Sequence, residues 1–162
     1  SQDAFATDDV RLVNNKQYMS IQQHIKKGIE TCELIAGGIG KSSNCHKGFF
    51  IKPTIFSNVP NNNALATEEI FGPVLSIISY KNLDEAITIT NNSKYGLSSY
   101  ISSKDTEIAH KLAKKIKAGQ TIINKVGRGS VPAPFGGFKM SGNGREHGKF
   151  GLEEYLEVKA II

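Results

Sequence analysis

The sequence predicts an α/β fold, a three-layer α/β/α sandwich around a mainly parallel sheet, followed by a strand at the C-terminus. Three observations predict it. Residues 74–124 alternate between strand-like and helix-like patterns in the order β-α-β-α-β, which calls for parallel strands with helices packed on the sheet. The helix-like stretches repeat apolar residues every three or four positions, so each has one inward face. The chain of 162 residues, 39% hydrophobic and 22% charged, is long and apolar enough to bury a core and is not of disordered composition.

In order along the chain, residues 14–31 carry Tyr18, Ile21, Ile25 and Ile29 at helical spacing, with Asn14 as N-cap. Glu33-Leu34-Ile35-Ala36 reads as a short strand ended by Gly37-Gly38-Ile39-Gly40, and residues 41–47 as a polar loop. Residues 49–56 are extended, with Pro53 interrupting them because proline cannot donate to a sheet. Val59-Pro60-Asn61-Asn62-Asn63 is a turn, and residues 64–69 one helical turn. Residues 74–80 form a strand, 83–92 a helix with Leu83, Ala86, Ile87 and Thr90 on one face, and 97–102 a strand. Residues 105–117 form a helix carrying Ile108, Leu112 and Ile116, closed by Gly119 as C-cap, and 121–124 the next strand. Residues 125–151 are rich in glycine and proline and read as a long ordered loop, a length that usually serves function. Residues 152–162 end in Tyr155-Leu156-Glu157-Val158-Lys159-Ala160-Ile161-Ile162, where apolar and charged residues alternate as in a strand that must find a partner.

Several chemistries are set aside. Net charge is +5, but the densest lysines (Lys26-Lys27, Lys114-Lys115 and Lys117) lie on helix-like stretches where a solvated face explains them. No aromatic-rich basic strand accompanies them, so no nucleic-acid partner is expected. No apolar run is long enough to span a bilayer and the first residues are not a signal peptide, so no membrane partner is expected. Two cysteines, Cys32 and Cys45, make no disulfide framework, and the cytoplasm is the expected compartment. A start at Ser1 without Met reads as a beginning inside a longer reading frame. The histidines His24, His46, His110 and His147 lack metal-ligand spacing, so no metal site is expected. Neither Gly37-Gly38-Ile39-Gly40 nor Gly127-Arg128-Gly129 nor Gly142-Asn143-Gly144 meets the strand-turn-helix test for a phosphate loop. Adjacent Cys45 and His46 in a loop make a poor nucleophile and base, since activation needs a positioned base and an electropositive setting.

The segment Glu68-Glu69-Ile70-Phe71-Gly72-Pro73-Val74, placed before a strand, resembles the aldehyde dehydrogenase superfamily. The resemblance continues through Asn92-Ser93-Lys94-Tyr95-Gly96-Leu97 and Gly119-Gln120-Thr121-Ile122-Ile123-Asn124. It runs on through Pro134-Phe135-Gly136-Gly137-Phe138-Lys139-Met140-Ser141-Gly142-Asn143-Gly144-Arg145-Glu146 and ends in Leu156-Glu157-Val158-Lys159. Nearly the whole chain lies onto the family's C-terminal region, and the first and third long motifs are the specific ones.

The resemblance implies a parent oxidoreductase that converts an aldehyde to a carboxylic acid with NAD or NADP through a cysteine thiohemiacetal. It places Glu69 on the hydroxyls of the nicotinamide-side ribose, where a carboxylate's two oxygens accept both protons. Phe71 corresponds to the aromatic residue lying against the nicotinamide. The bland alternative for Glu69 is an acid at a helix N-terminus serving the dipole. Pro134, Phe135, Gly136 and Gly137 resemble the segment beside the substrate tunnel. Asn124 resembles a position near the active site, with a buried asparagine bonded to backbone as the equal alternative. Residues 1–151 correspond to a truncated catalytic domain and 152–162 to an oligomerisation arm, implying a homo-oligomer. The family's G-Q-x-C cysteine and E-L-G-G glutamate are absent, so no catalytic residue is assigned and the chain alone is expected to be inactive. A non-catalytic assembly or regulatory module that keeps only the fold and the terminal strand is the alternative. The stretches Asp9-Val10-Arg11-Leu12-Val13 and Lys125-Val126-Gly127-Arg128-Gly129-Ser130 depart from the family's usual sequence and leave the particular aldehyde open.

Overall fold

A computed structural model describes residues 10–41, 47–125 and 131–162. The Cys45-His46 pair, the Gly127-Arg128-Gly129 run and Asp9 lie outside the described residues. The chain divides into two compact units, Ser1–Tyr80 and Lys81–Ile162.

In the first unit, helix α1 (Asn15–Thr31) starts where Asn14 turns extended and its side-chain oxygen accepts from the Gln17 amide at 2.9 Å. Its inward side buries Ile21 and Ile25 completely. Strand β1 (Val10–Arg11) pairs antiparallel with β3 (Phe50–Ile51). Strand β2 (Glu33–Ala36) runs antiparallel to β4 (Thr54–Ser57), which in turn runs parallel to β5 (Val74–Ser76). Pro53 splits the expected extended segment into β3 and β4, because its ring nitrogen leaves a gap in the ladder. Thr54 and Phe56 face inward and are buried. The Thr54 hydroxyl is satisfied, donating to the Lys52 carbonyl at 2.9 Å and accepting from the Gly38 amide at 3.1 Å. The short helix α2 (Ala64–Thr67) is capped by Asn63, and Leu65 joins Leu12, Ile21, Ile25, Ile51, Phe56 and Val59 in one core. Each large apolar side chain buried there contributes roughly 1.5–3 kcal/mol.

In the second unit, α3 (Leu83–Asn91) is capped by Asn82, and β6 (Ser98–Ile101) leads through α4 (Thr106–Ala113) to β7 (Gln120–Ile123). Strands β6 and β7 pair in parallel, from Ser98↔Gln120 to Ile101↔Ile123. A 3-10 turn (Lys139–Ser141) and α5 (Gly148–Glu153) follow. Among the described residues Ala109 is this unit's one fully buried hydrophobic side chain.

The α/β class holds, with differences in detail. Small sheets, two antiparallel pairings and two parallel ones, stand where one mainly parallel sheet was expected. Helix α4 ends at Ala113 because Lys115 and Ile116 donate to carbonyls three residues back and Asn91 holds the backbone of Lys115 and Lys117. Gly119, expected as C-cap, instead leads into β7. Residues 156–162 are not a strand; Val158 is 99% exposed and, among the described residues, no edge pairs with them to complete a ladder.

Candidate functional site

Glu68 caps the C-terminus of α2, its amide donating to the Ala64 carbonyl at 2.9 Å, and Glu69 is the next residue. Glu69 therefore does not serve a helix N-terminus. It follows a helix C-terminus, where the dipole disfavours an acid. Its carboxylate is exposed and has no partner among the described residues. Two residues later Phe71 adopts φ +56 and is 73% exposed. A non-glycine residue in the left-handed region costs about 1 kcal/mol or more, and an exposed ring returns nothing for it.

Helix α1 holds this segment in place. The Gln17 side-chain amide donates to the Phe71 carbonyl at 2.8 Å, and Gly72 lies against the Ile21 side chain. One helical step further, His24 Nε2 is 3.8 Å from a Glu68 carboxylate oxygen. Thr54 donates its amide to the Pro73 carbonyl at 2.8 Å, which fastens the far end to β4. The result is a carboxylate and an aromatic ring presented to solvent from a rigidly backed turn, able to accept two hydroxyl protons and to stack on a planar ring.

The second unit carries the other predicted residues. The loop after Pro134 closes on itself through reciprocal amide-to-carbonyl bonds between Phe135 and Glu146, both 2.7 Å. Arg145 Nη1 donates to the carbonyls of Gly137 at 3.0 Å and Gly144 at 2.6 Å, and the guanidinium lies 5.3 Å over the Phe138 ring. The loop docks on the start of β6: Phe138 and Gly119 donate to the Gly96 carbonyl, and the Ser141 hydroxyl accepts from the Gly96 amide. Gly119 and Gly136 approach so closely that a Cβ on Gly119 would stand 1.6 Å from the Gly136 carbonyl oxygen. Lys139 reaches the end of α3, its ammonium donating to the carbonyls of Asn91 at 3.0 Å and Ser93 at 2.7 Å.

Phe135, Gly136 and Gly137 line one cleft of about 330 Å³ together with Arg145, Glu146 and Glu154. Pro134 and Asn124 do not line it. Asn124 is exposed, adopts φ +51, and closes on Ser103 in both directions: its side-chain oxygen accepts from the Ser103 amide and its side-chain amide donates to the Ser103 carbonyl, each 2.8 Å. Asn124 is thus bonded to backbone but is not the buried asparagine of the alternative reading.

Sequence reasoning missed Gln17, His24 and Arg145. The signal for the first two was present: positions 17, 21 and 24 share one face of a helix, and polar residues there interrupt its apolar stripe. Among the described residues no group of three or more histidine, cysteine or acidic side chains could hold a metal ion, and no helix is long and apolar enough to cross a membrane.

Known proteins are similar to this chain in sequence and fold. Aldehyde dehydrogenase C from Pseudomonas syringae, solved with NAD+ and octanal, superposes with TM-score 0.89 at 45% identity, covering 93% of this chain and 31% of its own. An aldehyde dehydrogenase of Mycobacterium tuberculosis, solved with NAD+, gives TM-score 0.85 at 41% identity, over 90% of this chain and 30% of its own. A curated relative from Staphylococcus aureus (strain USA300) is 52% identical over 151 residues. The match covers 93% of this chain but 32% of that relative, so the chain spans about a third of its length. The sequence model of the aldehyde dehydrogenase family matches residues 3–161. The chain belongs to the aldehyde dehydrogenase family.

Proposed function

We propose that this chain forms part of the catalytic domain of an enzyme that oxidises an aldehyde to a carboxylic acid with NAD+ or NADP+. The observation that carries the proposal is the Glu69–Phe71 turn: an exposed, unpartnered carboxylate beside an exposed ring on a strained, rigidly backed turn. These groups fit the nicotinamide end of the cofactor. The Glu69 oxygens accept the two ribose hydroxyls, and the Phe71 ring limits where the nicotinamide swings. When bound, that ring supplies the hydride acceptor. The cofactor and the octanal in the Pseudomonas syringae structure support the same reading.

The cysteine thiolate adds to the aldehyde carbonyl to give a thiohemiacetal, which loses hydride to the nicotinamide and becomes a thioester. A glutamate-activated water then cleaves the C–S bond, releasing the acid and the thiol. Neither G-Q-x-C nor E-L-G-G occurs in these 162 residues, so the chain alone is inactive. Residues 1–151 belong to the three-layer catalytic domain, with the loop of Pro134, Phe135, Gly136 and Gly137 beside the substrate path. Residues 152–162 form an arm whose alternating, exposed side chains pair as a strand with a neighbouring subunit in a homo-oligomer. The cytoplasm suits a chain whose Cys32 is a free thiol.

The test is Glu69→Gln in the full-length enzyme. Losing a charge-assisted acceptor worth roughly 1.5 kcal/mol or more raises the KM for the cofactor about tenfold. An unchanged KM would overturn the assignment, as would aldehyde-dependent NADH formation by the 162-residue chain alone.

A further inference from the structure

We propose that His24 is a positioning residue for the cofactor-binding carboxylate, acting on Glu69 through Glu68; the proposal rests on the ribose-binding role of Glu69 above. The imidazole sits on α1 one helical step from Ile21, beside the buried face of Ile21 and Ile25. Its side chain is 17% exposed, and Nδ1 is buried without a hydrogen-bond partner among the described residues. A buried nitrogen with no partner is destabilising, and an apolar side chain at this position would avoid it. Packing does not explain a histidine here.

The other ring nitrogen does. Nε2 faces a Glu68 carboxylate oxygen at 3.8 Å, within ion-pair range and longer than a hydrogen bond. Glu68 is thereby held twice, by its backbone amide on Ala64 and by its side chain on His24. It is the hinge point of the site, since rotation about its backbone swings Glu69. The Gln17 bond to the Phe71 carbonyl fixes the other end of the same four-residue stretch. Contacts at both ends leave Glu69 little freedom, and a carboxylate already aimed loses less entropy when it binds.

The experiment compares variants of the full-length enzyme by NAD+ titration, steady-state kinetics and thermal unfolding. His24→Leu is expected to weaken NAD+ binding about threefold with kcat within twofold, in keeping with the modest strength of a contact whose carboxylate partner is 55% exposed. His24→Gln restores affinity, because a glutamine amide reaches the place of Nε2. His24→Asn, whose amide reaches the place of Nδ1, does not. Glu68→Gln, a surface change that leaves the core intact, weakens NAD+ binding to the same extent, and adding His24→Leu to it produces no further loss. Equal affinity in the glutamine and asparagine variants, or NAD+ binding unchanged by Glu68→Gln, would overturn the positioning role. Those results together with a weakened Glu69→Gln would leave the ribose assignment standing. A Glu69→Gln enzyme that binds NAD+ normally would remove both.

Discussion

Gly28→Ala tests how α1 is seated. Gly28 is buried in the interior of the helix, where alanine is favoured over glycine by about 1 kcal/mol on propensity alone. The structure reverses that preference. A Cβ at Gly28 would stand 2.7 Å from Leu65 Cδ1 and 2.7 Å from Phe56 Cζ, well inside the ~3.5 Å at which carbon atoms pack comfortably. Both neighbours are buried core side chains. Overpacking of this kind costs about 1–3 kcal/mol, which leaves a net destabilisation of up to about 2 kcal/mol after the helical gain. In a chain of this size each kcal/mol lowers the melting temperature by roughly 2–4 °C, readily seen by circular dichroism. Phe56→Leu removes the ring edge that blocks the methyl group. The double variant Gly28→Ala/Phe56→Leu should therefore be more stable than the sum of its parts by about 1 kcal/mol. A Gly28→Ala chain that melts higher than the parent would refute the reasoning, because propensity would then have outweighed packing.

Three further outcomes are expected. Gly119→Ala forces backbone against backbone at the Gly136 carbonyl and should destabilise by about 3 kcal/mol or more in urea unfolding. Asn124→Ala and Asn124→Gly both lose the bonds to Ser103, but glycine tolerates φ +51 and alanine does not, so the alanine variant should unfold earlier by about 1 kcal/mol. Lys139→Met removes the ammonium from the Asn91 and Ser93 carbonyls, and hydrogen exchange in the last turn of α3 should quicken while α4 is unaffected.

Helix α1 and strands β2, β4 and β7 were legible because caps, turn residues and apolar spacing agree there. Asn14 caps α1 where expected, and Glu33–Ala36 is a strand as read. The two-residue strand β1 carries too few residues for any period. The α5 helix lies in the glycine-rich stretch because His147 and Gly148 both take positive φ, a turn that periodicity does not reveal. The alternating tail reads as a strand, but alternation records only which side chains share a face; the ladder itself needs a second backbone. At the candidate site, Glu69 and Phe71 are assigned through motif resemblance alone. Gln17 and His24 were not legible, because a helical stripe read for apolar residues passes over the polar ones that share its face. Arg145 was hidden in a loop whose carbonyl partners, Gly137 and Gly144, are fixed only by the folded backbone.

The backbone at Phe71 also bears on engineering. A sequence selected for thermal resistance alone would replace this residue with glycine or asparagine, relieving the positive φ and removing an exposed ring from water. Consensus or computational stabilisation would mark the position as an easy gain. If the ring does restrain the nicotinamide, that gain is a trap: the redesigned protein would tolerate heat better and turn over worse, and position 71 should be held constant before any such optimisation begins.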